Sequence, residues 1–256
     1  MAGSVRILDV DVDAVTMAEA VQRIGEAIDS RRGHGGPPYQ VATVNPEFVM
    51  RARRDVRFRQ LLRACSLRTA DGAGLALAGR ILGSPFPGRV TGVDLTEAVS
   101  AAAALRGDRL FLVGAAPGVA DSAATRLRER YPGLVIAGTH PGDPGEEGDV
   151  AVLAVLKAAR PDIVLVAYGA PAQEEWSARN LSVSGAAVAI GVGGTFDYIS
   201  GRVRRAPQWM RTIGLEWLFR LVSQPWRARR MLVLPGFLVL VVRQRIGGSR
   251  PQVAHR

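Results

Sequence analysis

The chain has 256 residues, of which 48% are hydrophobic and 22% are charged, and its formal net charge is +10. This length and apolar content allow a sizeable core and exclude an intrinsically disordered chain. Its single cysteine, Cys65, excludes an internal disulfide framework and favours a reducing compartment. The longest apolar run, residues 231–242, is interrupted by Pro235 and is shorter than the roughly 20 residues that a membrane-spanning helix needs.

Apolar, β-branched runs alternate with segments of helical period along most of the chain. The predicted strands are residues 5–10, 39–43, 109–113, 134–137, 163–167 and 187–191. The predicted helices are residues 14–30, 46–64, 73–82, 93–105, 119–130 and 149–159. This alternation indicates an α/β fold with a Rossmann-like, largely parallel sheet and helices on both faces.

Ligands of such sheets bind beyond the carboxyl ends of the strands, where turns lead into helices. Four turns are placed in this way, at residues 43–47, 114–118, 168–171 and 191–194. The turn GAAPG at 114–118 is typical of a nucleotide-binding turn, but it fits a plain strand-to-helix connection equally well.

Several acidic residues allow two interpretations. The alternating Asp9, Asp11 and Asp13 could hold a metal, but the simpler interpretation is a strand end in which Asp13 caps the following helix. The three histidines show no ligand spacing, so we predict no metal site and no cofactor. Asp71, in the segment DGAG, could face a cleft or cap the next helix. Gln173 and Glu174 could belong to a site or merely occupy the first turn of a helix.

The positive charge is concentrated at the end of the chain. Residues 198–256 contain twelve arginines and one acid, Glu216, whereas residues 1–197 have a formal charge of −1. We therefore predict an α/β substrate-binding domain at 1–197 and a basic helical appendage at 198–256. A helix predicted at 207–222 carries Trp217 and Leu221 on one apolar face, a composition typical of a segment at a membrane surface.

Eight blocks between residues 41 and 230 resemble a known family. They are ATVNPEFVMRARRD, DGAG, RVTGVDL, LFLVGAAPG, RYPGL, YGAPAQEEW, GVGGTFDYISGRVRRAPQWM and GLEWLFRLVSQPWRARR. In this order they resemble the WecB/TagA/CpsF family of glycosyltransferases, glycosyltransferase family 26. The resemblance implies inverting, metal-independent transfer of a sugar, N-acetylmannosamine or its uronic acid, from a UDP-sugar to a polyprenyl-diphosphate-linked sugar. The product would enter teichoic acid or another surface polysaccharide, made at the inner face of the cell membrane.

The resemblance also implies roles for individual residues. Asp71 matches the proposed general base, and Thr43 lies in the turn that would adjoin the reacting groups. The remaining matches would bind substrate, and they are Asn45, Arg89, Gln173, Gly191, Gly193 and Asp197 in the domain and Arg220, Arg227 and Arg230 in the appendage. The three arginines would stabilise the diphosphate of the leaving UDP and meet an anionic membrane surface.

Other functions stay open at this point. A hexosyl or glucuronosyl transferase of exopolysaccharide assembly would carry the same motifs. A membrane-associated protein that binds sugar nucleotides without catalysis is a further alternative. Nucleic-acid binding is disfavoured, because the tryptophans of the tail are interleaved with aliphatic residues at amphipathic spacing. A homo-oligomer is possible. We expect a cytoplasmic protein that lies peripherally on the membrane.

Overall fold

The computed structural model of the chain describes residues 3–212, 214–223 and 232–248. The strands within these residues are β1 (Ser4–Ile7), β2 (Val10–Asp13), β3 (Tyr39–Val44), β4 (Leu67–Ala70), β5 (Arg109–Gly114), β6 (Val135–His140), β7 (Ile163–Ala167) and β8 (Val188–Gly191). The helices are α1 (Met17–His34), α2 (Pro46–Arg54), α3 (Val56–Ala64), α4 (Ala73–Ile81), α5 (Gly92–Arg106), α6 (Val119–Arg130), α7 (Glu146–Ala159), α8 (Ala172–Ser184), α9 (Thr195–Ile199), α10 (Gln208–Thr212), α11 (Glu216–Ser223) and α12 (Val233–Ile246).

The main sheet has six strands in the order β4-β3-β8-β7-β5-β6, and every neighbouring pair is parallel. In β7, Ile163 and Leu165 belong to one buried cluster, and Val164 and Val166 belong to another. Successive side chains of a strand point to opposite faces, so apolar packing covers both faces of this sheet. The prediction of an α/β fold with a parallel, Rossmann-like sheet is confirmed.

One strand prediction was wrong, and one strand of the main sheet was not predicted. Residues 5–10, predicted as one strand, instead contain the turn of an antiparallel hairpin, β1 and β2, which stays outside the main sheet. The chain reverses there because Leu8 adopts a left-handed conformation, with a φ of 53°. The edge strand β4 was not predicted, since its four residues include Arg68 and Thr69 and show no apolar run.

Two predicted helices are each divided into two. The segment 46–64 breaks at Asp55, which is extended, ends α2 and caps α3 by accepting a hydrogen bond from the Phe58 amide. The segment 207–222 breaks at Gly214, where a φ of 81° ends the helical path between α10 and α11. Apolar periodicity continues across both breaks, so the sequence pattern alone did not locate them.

The prediction that Asp13 caps the first helix was wrong. Thr16 is the cap of α1, and it forms a capping box with Glu19. The Asp13 carboxylate instead accepts a hydrogen bond from the Arg68 backbone N–H at 2.8 Å and forms an ion pair with that arginine's side chain. Asp13 therefore joins the hairpin to β4.

The apolar run near the end of the chain lies largely in α12, which packs against α2 and α4. Its Phe237 and Val241 are fully buried in a cluster with the hairpin and both helices. The Gln244 side chain accepts a hydrogen bond from Leu8 N–H and donates one to the Arg6 carbonyl. The helix is therefore fastened to both the core and the hairpin. None of the described helices is long and apolar enough to cross a bilayer.

Candidate active site

A cleft opens at the carboxyl ends of β3, β4, β7 and β8, around the place where β3 and β8 lie side by side. The end of β3 contributes Thr43 and the turn after it contributes Asn45. Asp71 directly follows β4, and α8 contributes Gln173. The wall also includes Thr91 to Val93 at the start of α5 and Val192 to Thr195 after β8. A cleft beyond the carboxyl ends of parallel strands is the usual place for a ligand in this kind of sheet.

Thr43 and Asn45 are held by the backbone that surrounds them. The buried Thr43 hydroxyl donates to the Gly191 carbonyl at 2.8 Å, which ties β3 to β8 beneath the cleft. The Asn45 side-chain oxygen accepts hydrogen bonds from the amides of Glu47 and Phe48, at 2.9 and 3.2 Å, and so caps α2. Since its oxygen serves as the cap, the Asn45 amide nitrogen is the group that can donate to a ligand.

Asp71 follows β4, and its backbone N–H donates to the Val44 carbonyl at 2.7 Å. The next residue, Gly72, is the N-cap of α4 and has a φ of 90°, a left-handed conformation that suits glycine. The alternative in which Asp71 caps that helix is therefore wrong. One carboxylate oxygen of Asp71 instead lies 3.5 Å from the Gly92 amide, at the first residue of α5. The carboxylate is thus placed in the cleft.

Gln173 links two turns of the cleft wall. Its side-chain oxygen accepts hydrogen bonds from Gly169 N–H at 3.1 Å and from Gly193 N–H at 2.9 Å. Its amide nitrogen donates to the Glu174 carboxyl at 2.7 Å. Both side chains press against Gly191, where an added Cβ would come within 2.7 Å of them. The absence of a side chain at Gly191 therefore leaves room for the Gln173 and Glu174 side chains. The predicted contact of Gly191 with the nucleotide stays a prediction.

Glu174, which the sequence interpretation considered together with Gln173 but gave no role, lies beside Gln173 and is not among the residues that line the cleft. Its side chain is 1% exposed, and one of its carboxyl oxygens has no hydrogen-bond partner among the described residues. Burial raises the pKa of this carboxyl to about 8. The group is therefore largely protonated at neutral pH. Its place beside Gln173 in the block YGAPAQEEW was the only signal in the sequence.

Five of the predicted site residues share the cleft, and they are Thr43, Asn45, Asp71, Gln173 and Gly193. Arg89 is half-buried in the segment before α5, and Asp197 lies in α9, so neither is among the residues that line it. The neighbour of Asp197, Tyr198, does line the cleft. The side chain of Arg220, together with Arg227 and Arg230, lies outside the described residues.

The start of the basic segment is anchored beside the cleft. Arg205 donates to both carboxylate oxygens of Asp94 at 2.6 and 2.9 Å, and lies 3.7 Å from Glu216. This arginine therefore connects α5, whose first residues line the cleft, to α11. In the same region Gly214 approaches Ala73, two residues beyond Asp71. The described part of the C-terminal segment therefore reaches the first residue of α4.

The three aspartates near the start of the chain each pair with an arginine: Asp9 with Arg53, Asp11 with Arg6, and Asp13 with Arg68. Among the described residues, no group of three or more histidine, cysteine or acidic side chains is arranged to hold a metal ion.

The fold and the cleft are those of an α/β enzyme with its site at the strand ends, and sequence comparison identifies the class. The sequence model of the glycosyl transferase WecG/TagA/CpsF family matches residues 5–251 of the chain. The chain belongs to this family and is a glycosyltransferase.

Three curated relatives, described below, carry the name N-acetylglucosaminyldiphosphoundecaprenol N-acetyl-beta-D-mannosaminyltransferase. The chain is similar to that of Bacillus subtilis strain 168, with 34% identity over 80% of this chain and 79% of the relative. It is also similar to that of Bacillus spizizenii, with 33% identity over 82% of this chain and 81% of the relative. The protein of Staphylococcus aureus strain MW2 is 30% identical over 93% and 92% of the two chains.

Proposed function

We propose that this glycosyltransferase moves N-acetylmannosamine from a UDP-sugar to N-acetylglucosamine linked through diphosphate to a polyprenyl lipid. The observation that carries the proposal is the Asp71 carboxylate, which lies in the cleft at the carboxyl ends of the strands, 3.5 Å from the Gly92 amide. The relatives' names supply the sugar and the lipid-linked acceptor. The UDP carrier is the donor that the family resemblance implies.

In this proposal Asp71 acts as the general base. An acceptor hydroxyl loses its proton to the Asp71 carboxylate while its oxygen attacks the anomeric carbon of the donor sugar. The bond from that carbon to the UDP oxygen breaks, and the electron pair leaves with UDP. Attack from the face opposite the leaving group inverts the configuration. Asn45 can donate to the donor sugar through its amide nitrogen, and Thr43 can accept a hydrogen bond through its hydroxyl oxygen.

The leaving diphosphate needs positive charge or fixed donors as the bond to it breaks. We assign this role to Arg220, Arg227 and Arg230, and propose that no metal ion is required. Arg89, Asp197, Gly191 and Gly193 would complete the donor pocket around the nucleotide. The Arg205 contacts with Asp94 and Glu216 support this arrangement, because they bring the start of the basic segment to the edge of the cleft.

A peripheral position on an anionic membrane follows from the lipid-linked acceptor, and α12 supports it. Opposite its buried Phe237 and Val241, this helix exposes an apolar stripe of Val239, Val242 and Ile246. The intervals of three and four residues place these side chains on one face. The exposed Arg243 and Arg245 lie between Val242 and Ile246 along the helix. Such a surface suits the headgroup region of a bilayer.

The test of the function is a panel of donors. UDP release is measured with anionic vesicles that contain the lipid-diphosphate-linked N-acetylglucosamine, with EDTA present throughout. We expect release with UDP-N-acetylmannosamine and no loss of rate in EDTA. Preference for UDP-glucose or UDP-glucuronic acid would replace the proposed sugar. A rate that vanishes in EDTA and returns with a divalent cation would contradict metal independence.

A further inference from the structure

Gln173 stands between two turns that both line the cleft, the turn after β7 and the turn after β8. Its side-chain oxygen receives one backbone N–H from each turn, Gly169 and Gly193. The distance between the turns therefore depends on how this one amide is oriented. If the amide rotated by 180°, its NH2 group would face two N–H donors, and both hydrogen bonds would be lost.

The Glu174 carboxyl holds the other end of the amide. Its oxygen accepts a hydrogen bond from the Gln173 nitrogen at 2.7 Å, in a region where both side chains are at most 2% exposed. Glu174 is itself fixed, because its backbone carbonyl accepts a hydrogen bond from the Gln40 side chain of β3 at 3.0 Å. The residue that supplies the acceptor for the Gln173 nitrogen therefore lies in α8 and is hydrogen-bonded to β3, and it is not part of a loop.

Stability alone does not account for a carboxyl at this position. A carboxyl group loses favourable hydration when it is buried, and the second oxygen of Glu174 finds no hydrogen-bond partner among the described residues. An apolar side chain of the same size would avoid that loss but would leave the Gln173 nitrogen without its acceptor. Residues that break the rules of packing in this way are expected at functional sites.

We propose that Glu174 is a positioning residue for sugar transfer: its carboxyl holds the Gln173 amide so that the two glycine turns of the cleft keep the spacing that the donor needs. Glu174 itself touches no substrate in this account, which rests on the proposed function. The raised pKa of the group agrees with it, since an uncharged acid can stay buried while it accepts the hydrogen bond from Gln173.

The test compares two isosteric, uncharged replacements. Glu174→Gln keeps an oxygen that can accept from Gln173, whereas Glu174→Met keeps the volume and removes the acceptor. We expect kcat/KM for the donor to fall about tenfold or more in E174M, the effect of one lost hydrogen bond, and to stay within about threefold of the wild type in E174Q. Melting temperatures of both variants are measured beside the kinetics. Glu174→Asp, which withdraws the carboxyl by one methylene, provides the same test if E174M does not fold.

A double-mutant cycle separates positioning from a general packing effect. If Glu174 acts through Gln173, the variant with both Gln173→Ala and Glu174→Met will be no worse than Gln173→Ala alone. Additive losses would overturn the proposal. So would an unchanged kcat/KM in folded E174M, or an equal loss in E174Q and E174M.

UDP affinity, measured by calorimetry on the same variants, separates this proposal from the proposed function. If the wild type binds UDP but transfers no sugar, the proposed function fails, and the positioning role is then decided by affinity alone. In that case weaker UDP binding by E174M, with wild-type binding by E174Q, supports the role. Equal binding by the two variants, or a wild type that binds no UDP, contradicts it.

Discussion

At the scale of single residues, the cleft depends on side chains that backbone groups hold in place. Thr43 is tied to the Gly191 carbonyl, Asn45 caps α2, and Gln173 joins Gly169 to Gly193. Asp71 follows a short edge strand and precedes the glycine cap of α4. Its carboxylate lies in the cleft beside the Gly92 amide, the place that a general base would occupy.

The base role of Asp71 predicts a large kinetic effect with little change in fold. Asp71→Asn keeps the shape of the side chain and removes its capacity to take a proton. We expect the rate of transfer to fall by about 10²-fold or more, while UDP affinity stays close to that of the wild type. The measurement is kcat at saturating donor together with calorimetry of UDP. Wild-type turnover by the Asp71→Asn variant would assign the base to another residue.

The buried Glu174 carboxyl predicts a dependence of stability on pH. Its pKa is raised from 4.5 to about 8, so between these values the folded state binds one more proton than the unfolded state. The free energy of unfolding therefore falls as pH rises through this window. The Glu174→Gln side chain does not titrate. The melting temperature of this variant minus that of the wild type should therefore increase as the pH rises from 5 to 8.

Neighbouring titratable groups do not account for this expected change in the difference between the two melting temperatures. The buried Cys65 thiol, on the adjacent connection from α3 to β4, has its pKa raised to about 12. Glu175, the next residue of α8, is present in both the wild type and Glu174→Gln, so its contribution to stability cancels in the difference between them. A difference in melting temperature that stays constant from pH 5 to pH 8 would contradict the raised pKa of Glu174.

The sequence located some of these residues and missed others for physical reasons. Asp71 and Asn45 each follow a strand, Thr43 lies at the end of one, and the parallel topology brings strand ends to one edge of the sheet. The burial of Glu174 was not predicted, because it depends on how α8 packs against β3, β8 and α3. No pattern along the chain reveals that a glutamate in a first helical turn is covered.

At the scale of elements, α12 is the least expected part of the fold. Its sequence is apolar on nearly all sides, and the sequence showed only that residues 231–242 are too few to span a membrane. The structure divides that apolar surface in two. Phe237 and Val241 complete a core cluster with the hairpin, α2 and α4, and Val239 and Val242 stay on the outside. Sequence periodicity does not separate the faces of a helix that is apolar all round.

The inner face of α12 predicts a loss of stability upon truncation. Phe237→Ala removes a fully buried ring and should lower the free energy of unfolding by about 3–5 kcal/mol. The matched control on the same helix is Val239→Ala, at a position that is 53% exposed and should change stability by less than about 0.5 kcal/mol. Chemical denaturation of both variants checks this. Equal effects would mean that α12 does not pack on the core in solution.

The outer face of α12 predicts a separate effect on membrane binding. Val242→Asp places a charge on the exposed stripe, so it should weaken co-sedimentation with anionic vesicles and leave the melting temperature almost unchanged. Val242→Leu, which keeps the stripe apolar, should bind as the wild type does. Identical vesicle binding by the two variants would remove α12 from the membrane-facing surface.

At the scale of the whole molecule, the alternation of apolar strands and helices was sufficient to predict the parallel α/β sheet. It did not predict the order of the strands, because the chain pattern carries no information on which strands become neighbours. The hairpin β1–β2 and α12 come from opposite ends of the chain and join through Gln244. The division at residue 197 remains a prediction, and α12, which lies beyond that boundary, packs on the core of the preceding domain.

The most direct test of the account is mass spectrometry of the lipid product. Purified protein is incubated with UDP-N-acetylmannosamine, EDTA and vesicles that carry the lipid-diphosphate-linked N-acetylglucosamine, beside the Asp71→Asn variant. The account predicts a lipid-linked disaccharide from the wild-type protein and at most about one hundredth of that amount from the variant. Equal amounts of disaccharide from both proteins would contradict catalysis by Asp71, and no disaccharide from either would contradict the proposed transfer.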